Sequence, residues 1–545
     1  MTEKNEKKTK PEKKADVQAA KGGDTKKEEG RKKGPLRDNV ESILVAVCLA
    51  LIIRFFAIEA FKIPTGSMAP TLLGMHKSVK CLECGWKFPL DNKLTRFEGA
   101  KCLNCLLPID AWSTCPECSG DLTILGLPWV GIYTPWVWCR ACPFKSSDGG
   151  NRGTRGGNRI LVNKVIYKFS AARRWDVIVF LYPRVDLTCK NPSCRAKTDE
   201  VCLICGATDN DRRTVGGPDS CPACGARRAS AKGPNGEFIC PSCGGPRVKR
   251  ETKNFIKRLI GLPGEQLEIK HGDIYINGRI ARKPRDIQNA LWQHVYDSRY
   301  APKHDMVKGA MWKASNERWQ MDGNRFVVDA ESATEPSFLK MNRQVTDEYG
   351  YSVARTVNHV GDLQIAFDVA PQGEKGFICA EIMEDGVSYQ FRLRVGGEGG
   401  ESALLRNGEI VGRDANFSLK PFESSRLTFY NVDDAQGVLV NGRQALSAEC
   451  PTGDGAPASA ALIGAMGCKA VFTNVLVQRD VYYTHGSDGD FPLPDQKISE
   501  GYFFALGDNS PNSRDSRVWG CVPMKHLIGR AFVVFWPISG IRTIE

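Results

Sequence analysis

At 545 residues the chain is too long for one ordinary domain and predicts three or four folding units. Hydrophobic residues make up 42%, enough to bury sizeable cores, which excludes a wholly disordered chain. The formal net charge of +13 is spread unevenly, and its basic excess mixes with acidic residues and lacks interleaved aromatics, so no nucleic-acid partner is expected.

Residues 1–38 are rich in Lys and Glu with almost nothing apolar, and read as a disordered basic tail. From Ile43 to Ile53 every residue is apolar, and the run resumes after Arg54. With Arg54 and Glu59 near the outer interface, residues 39–61 make a single transmembrane anchor in contact with lipid. The Lys and Arg residues before it put the tail in the cytoplasm and the rest outside the cytoplasmic membrane. A cleaved signal peptide is the alternative, but the long basic tail suits an anchor better.

Beyond the anchor, residues 62–74 form a loop of small residues, and 75–157 carry four close Cys pairs before a Gly/Arg-rich linker. Residues 158–183 hold two β-type runs, and 184–252 carry four more Cys pairs. Residues 253–286 return to strands, with Asn277-Gly278 as a hairpin turn. Alternating apolar and polar runs across 287–477 predict a β-sandwich, and 478–545 return to strands and tight turns. The fold class is therefore mainly β: a β core in several pieces, behind one N-terminal helix, interrupted by two Cys-rich insertions and one sandwich-like insertion.

Ser67 sits in Pro64-Thr65-Gly66-Ser67-Met68, which by itself is equally well a turn. No G-x-S-x-G elbow exists, none of the seven His residues has a matching partner pattern, and no H-E-x-x-H site supports a metalloprotease. A serine protease without His needs another base, and a desolvated neutral Lys can serve. Lys257 lies in the apolar run Phe255-Ile256-Lys257-Arg258-Leu259-Ile260 and fits that need, although a solvent-facing strand Lys is the plain alternative.

Four segments together resemble the boxes of bacterial type I signal peptidases, in the family's order and downstream of an anchor: IPTGSMAPTL, NRILVNK with RRWDVIVF, NFIKRLIGLPGE and GDNSPNSRDSR. The resemblance implies a membrane-bound serine endopeptidase in which Ser67 attacks and Lys257 takes its proton, with no cofactor. It implies an oxyanion hole from the Ser67 N–H and the Thr65 hydroxyl, Ser513 orienting Lys257, Asp515 paired with Arg517, Asp508 and Asn509 shaping a turn, and Arg258 in a structural role. Substrates would be preproteins cut after small-x-small, usually Ala-x-Ala, with Phe61, Ile63, Leu72, Ile160, Val179, Phe255 and Ile256 lining the pockets. Three positions depart from the pattern: Asn158 in place of Asp, Trp175 in place of Gly, and Glu265 in place of Asp. Of these, Trp175 is expected to alter a turn. A self-cleaving repressor-type Ser/Lys protease and an inert membrane scaffold are the competing readings.

The Cys-x2-Cys pairs look like zinc-ribbon knuckles. Cys81/Cys84 and Cys102/Cys105 are 17 residues apart, Cys115/Cys118 and Cys139/Cys142 are 20 apart, and Cys221/Cys224 and Cys240/Cys243 are 15 apart. Cys202/Cys205 pairs less well with Cys189/Cys194, only seven residues away. Four thiolates would make any zinc structural, while location outside the cytoplasm keeps disulfides open as the rival. The sandwich region loosely resembles concanavalin-like jelly rolls, leaving carbohydrate binding or plain docking as its role.

Overall fold

A computed structural model describes residues 40, 43–46, 57–81, 83–91, 101–107, 154–182, 253–303, 311–349, 357–397, 399–451, 458–484 and 497–545. Of 122–125, 136–139, 145–146, 186–189, 197–198 and 248–251 it describes the backbone strands alone. The chain divides into Met1–Phe55 and Phe56–Glu545. In the first unit, Val40, Ile43, Leu44 and Val45 are helical and exposed. The rest of the predicted anchor up to Phe56, and the whole tail, lie outside the described residues. Among the described residues no helix is long and apolar enough to cross a membrane.

The chain is mainly β, as expected. Four stretches far apart in sequence build one antiparallel sheet, in the order Ile58–Lys62, Arg159–Asn163, Leu527–Trp536, Val177–Leu181, Asn254–Gly261, Tyr502–Leu506 and Val522–Pro523. These strands are rich in β-branched and aromatic residues, which suit a pleated surface buried on both faces. One face packs Ile63, Met68, Leu72, Ile160, Val162, Val177 and Val179 around Val534 and Ile544. The other packs Phe180, Leu259, Phe503, Ala505 and Trp519.

Between Gln293 and Arg479 the chain builds the predicted sandwich. An eight-stranded sheet centred on Leu363–Pro371 and Lys469–Arg479 faces a seven-stranded sheet centred on Gly376–Glu384 and Ser459–Met466. Strands such as Leu363–Pro371 alternate buried and half-buried residues, and their inward side chains form the largest apolar core among the described residues. Residues Val79, Phe88, Leu90 and the four buried thiols of Cys81, Cys84, Cys102 and Cys105 make a separate small core.

Candidate active site and four-cysteine centre

The strand Asn254–Gly261 pairs with Val177–Leu181 on one side and Tyr502–Leu506 on the other, which buries its central residues. Lys257 is 2% exposed, and its Nζ stands 2.5 Å from Oγ of Ser67. Burial pushes the Lys257 ammonium down to about 8, against the opposing pull of Asp515 and Asp508. A base poised near neutrality thus touches the hydroxyl it would deprotonate.

The loop of residues 507–517 clamps this pair. The backbone N–H of Asn509 donates to the Ser67 carbonyl at 3.1 Å, and its side-chain amide donates to the Gly66 carbonyl at 3.1 Å. Asp508 accepts two bonds from Arg258, at 2.8 and 2.9 Å, and both side chains are fully buried. Arg258 also donates to the Trp175 carbonyl at 2.7 Å, in keeping with its expected structural role. Asp515 accepts from the Gly507 N–H at 3.0 Å and from Arg517 at 2.7 and 2.9 Å. Burial raises the Asp515 carboxyl, but Arg517 and these bonds outweigh it and hold the carboxyl below its ordinary range. Gly507 is where the parts meet: a Cβ there would stand 2.1 Å from the Ser513 hydroxyl and 2.4 Å from the Ser67 carbonyl oxygen.

Two expected placements differ. Ser513 makes no hydrogen bond to Lys257; its buried hydroxyl has no partner, held against Gly507 while the Lys257 amine turns to Ser67. Phe255 does not join the other residues expected to line the pockets. Ile63, Leu72, Ile160 and Val179 share one cluster with Phe61 and Ile256 packed against it. Phe255 instead stacks on Tyr182 at 4.8 Å and meets Trp519 at 5.1 Å, because adjacent strand residues point to opposite faces. Thr65 is exposed on the Ser67 loop.

The departures at three positions are accommodated. Trp175 takes φ +74°, a buried tryptophan in a left-handed conformation that favours glycine. Asn158 accepts from the Leu73 N–H at 2.7 Å, as a carboxylate would, and fastens the Ser67 loop to the sheet. Glu265 forms a bidentate pair with Arg174 and caps the Leu262 N–H at 2.8 Å.

The Cys81, Cys84, Cys102 and Cys105 sulfurs lie within 4.8 Å of one another. Cys81 and Cys105, and Cys84 and Cys102, are 3.6 Å apart. A tetrahedral zinc with bonds of about 2.3 Å needs sulfurs about 3.8 Å apart, so the set fits zinc, and 3.6 Å is far beyond a disulfide bond. Each pair lies in a matching knuckle: Gly85 N–H donates to the Cys81 carbonyl and Leu106 N–H to the Cys102 carbonyl. The first knuckle's Trp86 stacks on His294 of the sandwich at 3.8 Å, and the second knuckle's Asn104 accepts from the Asp297 N–H at 2.6 Å. The side chains of Cys115, Cys118, Cys139, Cys142, Cys202, Cys205, Cys221, Cys224, Cys240 and Cys243 lie outside the described residues.

The family model described as "Signal peptidase, peptidase S26" matches residues 36–81, 147–329 and 466–536, more than half of the chain. The chain belongs to the signal peptidase family, peptidase S26. Its unmatched gaps hold the four-cysteine centre beyond Cys81 and most of the sandwich. Signal peptidase I of Leptolyngbya laminosa is 45% identical over 53 residues, 10% of this chain and 26% of that protein. Signal peptidase I of Aquifex aeolicus is 51% identical over 39 residues, 7% of this chain and 15% of that protein. The chain thus spans about a quarter or less of the length of these relatives. Among solved structures, it is similar to the carbohydrate binding module CBM66 from Bacillus subtilis at 12% identity and a TM-score of 0.23, covering 31% of this chain and 96% of that one.

Proposed function

We propose that the protein is a membrane-bound serine endopeptidase that removes signal peptides from exported preproteins after a small-x-small site. The observation that carries this reading is the 2.5 Å approach of the buried Lys257 amine to the Ser67 hydroxyl. Neutral Lys257 takes the Ser67 proton as Oγ attacks the scissile carbonyl, and the acyl-enzyme forms when the protonated lysine gives that proton to the leaving amine. Water then enters, Lys257 takes its proton, and the Ser67 ester is hydrolysed. The Ser67 N–H and the Thr65 hydroxyl stabilise the oxyanion; one such donor is worth roughly 3–4 kcal/mol in transition-state binding. The apolar side chains of Ile63, Leu72, Ile160 and Val179 are buried against one another, which supports shallow pockets that admit small side chains only.

Anchoring by residues 39–61, with the catalytic part on the outer side of the cytoplasmic membrane, is part of the same reading. Zinc in the Cys81/Cys84/Cys102/Cys105 centre would be structural, since four thiolates leave no open coordination position.

The test is cleavage of a preprotein with an Ala-x-Ala site by the detergent-solubilised full chain, beside Ser67→Ala and Lys257→Met. Cutting at the site by the unaltered chain, with both variants folded and inactive, is the expected result. An inert unaltered chain, or activity left in Lys257→Met, overturns the assignment.

A further inference from the structure

Where the sandwich meets the core, three acidic side chains converge. Asp273 opens the core strand Asp273–Ile276, Asp362 immediately precedes the sandwich strand Leu363–Pro371, and Asp433 immediately follows Ser425–Val432. A carboxylate oxygen from each lies within 4.8 Å of the other two. The residues are 7%, 8% and 4% exposed. Asp480 is buried beside them, sharing Lys283 with Asp433 at 2.7 and 2.6 Å. Lys283 is thereby engaged, and Asp273 and Asp362 have no ion-pair partner among the described residues.

The second observation is a surplus of acceptors. Asp362 Oδ1 is buried with no hydrogen-bond partner, and its other oxygen takes a single long bond of 3.4 Å from the Asp433 N–H. Asn431 Oδ1 is also buried and unpaired, on a side chain whose amide is spent on Glu384. So is Gln288 Oε1, whose amide is spent on Asp480. Each of these orphans is an oxygen. A buried carboxylate left this way is expensive unless a positive charge meets it.

We propose that Asp273, Asp362 and Asp433 hold a divalent cation of the calcium class, which fastens the sandwich to the catalytic core. Donors that are all oxygen, with no sulfur or imidazole, suit a hard cation better than zinc. Calcium accepts carboxylate and amide oxygens in a flexible shell, whereas magnesium demands near-ideal octahedral geometry and keeps several waters, which a buried set of protein oxygens does not suit.

Equilibrium dialysis of the full chain in detergent, stripped with EGTA and then exposed to radiolabelled calcium, tests this independently of peptidase activity. The unaltered chain should take up calcium, and its Tm should rise by a few degrees. Asp362→Asn and Asp273→Asn should each lose one ion per chain and the calcium-dependent rise. Two results overturn the proposal: no uptake by the unaltered chain, or full uptake by either folded variant. If Asp362→Asn fails to fold, Asp273→Asn and the unaltered chain still decide.

Discussion

Replacing Lys257 by Met should abolish cleavage and, at neutral pH, stabilise the fold. Burial lowers the Lys257 pKa from 10.5 to about 8, so the unfolded chain binds that proton more tightly than the folded one. The sign follows from linkage: the cost of burying the amine is full below about pH 8, and it fades as pH rises toward 10.5. At pH 7 that cost is about 3 kcal/mol, and at pH 10 it is below about 1 kcal/mol. Met has nearly the volume of Lys, and the lost bond to Ser67 subtracts about 1 kcal/mol. The net gain at pH 7 is then roughly 2 kcal/mol, or a few degrees in Tm. Thermal melts of both proteins at pH 7 and pH 10 check this. A variant that melts no higher than the unaltered chain at pH 7, or keeps its advantage at pH 10, refutes the buried-amine account. The same ionisation sets the rate: kcat/KM should climb about tenfold per pH unit below about 8 and level above it. A profile flat from about pH 6 to 9 would exclude a lysine base.

Gly507→Ala should lower kcat/KM at least about 100-fold, because the added methyl displaces the Ser67 carbonyl or the Ser513 hydroxyl; steady-state kinetics reads it directly. Arg258→Met leaves Asp508 buried without its cation and should cost about 3–5 kcal/mol, seen as a fall in Tm larger than that of a surface Arg→Met control. Cys102→Ser should remove zinc from the Cys81-containing centre, read as loss of metal by atomic absorption. It should also release Trp86 from His294, read as a change in tryptophan emission. Trp175→Gly relieves a left-handed backbone of about 1 kcal/mol but empties a buried ring site worth about 3–5 kcal/mol, so the variant should melt lower than the unaltered chain.

What the sequence made legible was local chemistry. Ser67 and Lys257 are 190 residues apart and nothing local joins them; the family resemblance of their flanking boxes did, and the structure brings Nζ and Oγ to 2.5 Å. The sandwich was legible from period-two alternation, since one face of each strand is buried. The first four-cysteine set followed from spacing alone. Phe255 packs with Tyr182 and Trp519, apart from its neighbour Ile256, a difference of face that a resemblance assigning positions alone does not carry. Ser513 was assigned a bond to Lys257 by the resemblance, and no local pattern encodes which way a serine hydroxyl turns. The roles of Asn158 and Glu265 depend on partners 85 and 91 residues away, Leu73 and Arg174, and so were invisible in either segment.

The same distance argument explains how a long Cys-rich insertion coexists with a precise dyad. The insertion leaves the core after Gly74 and returns at Gly157, and these two glycines lie back to back beneath the Ser67 loop. A Cβ on Gly74 would stand 2.3 Å from the Thr65 carbonyl carbon; one on Gly157 would stand 1.8 Å from the Ile63 carbonyl oxygen. Asn158 follows at once and closes the loop with bonds to Leu73 through both its backbone N–H and its side chain. The excursion is therefore pinched off at its root, where only glycine fits. The two knuckles of the insertion dock on the sandwich, through Trp86 and Asn104, and not on the loop that presents Ser67.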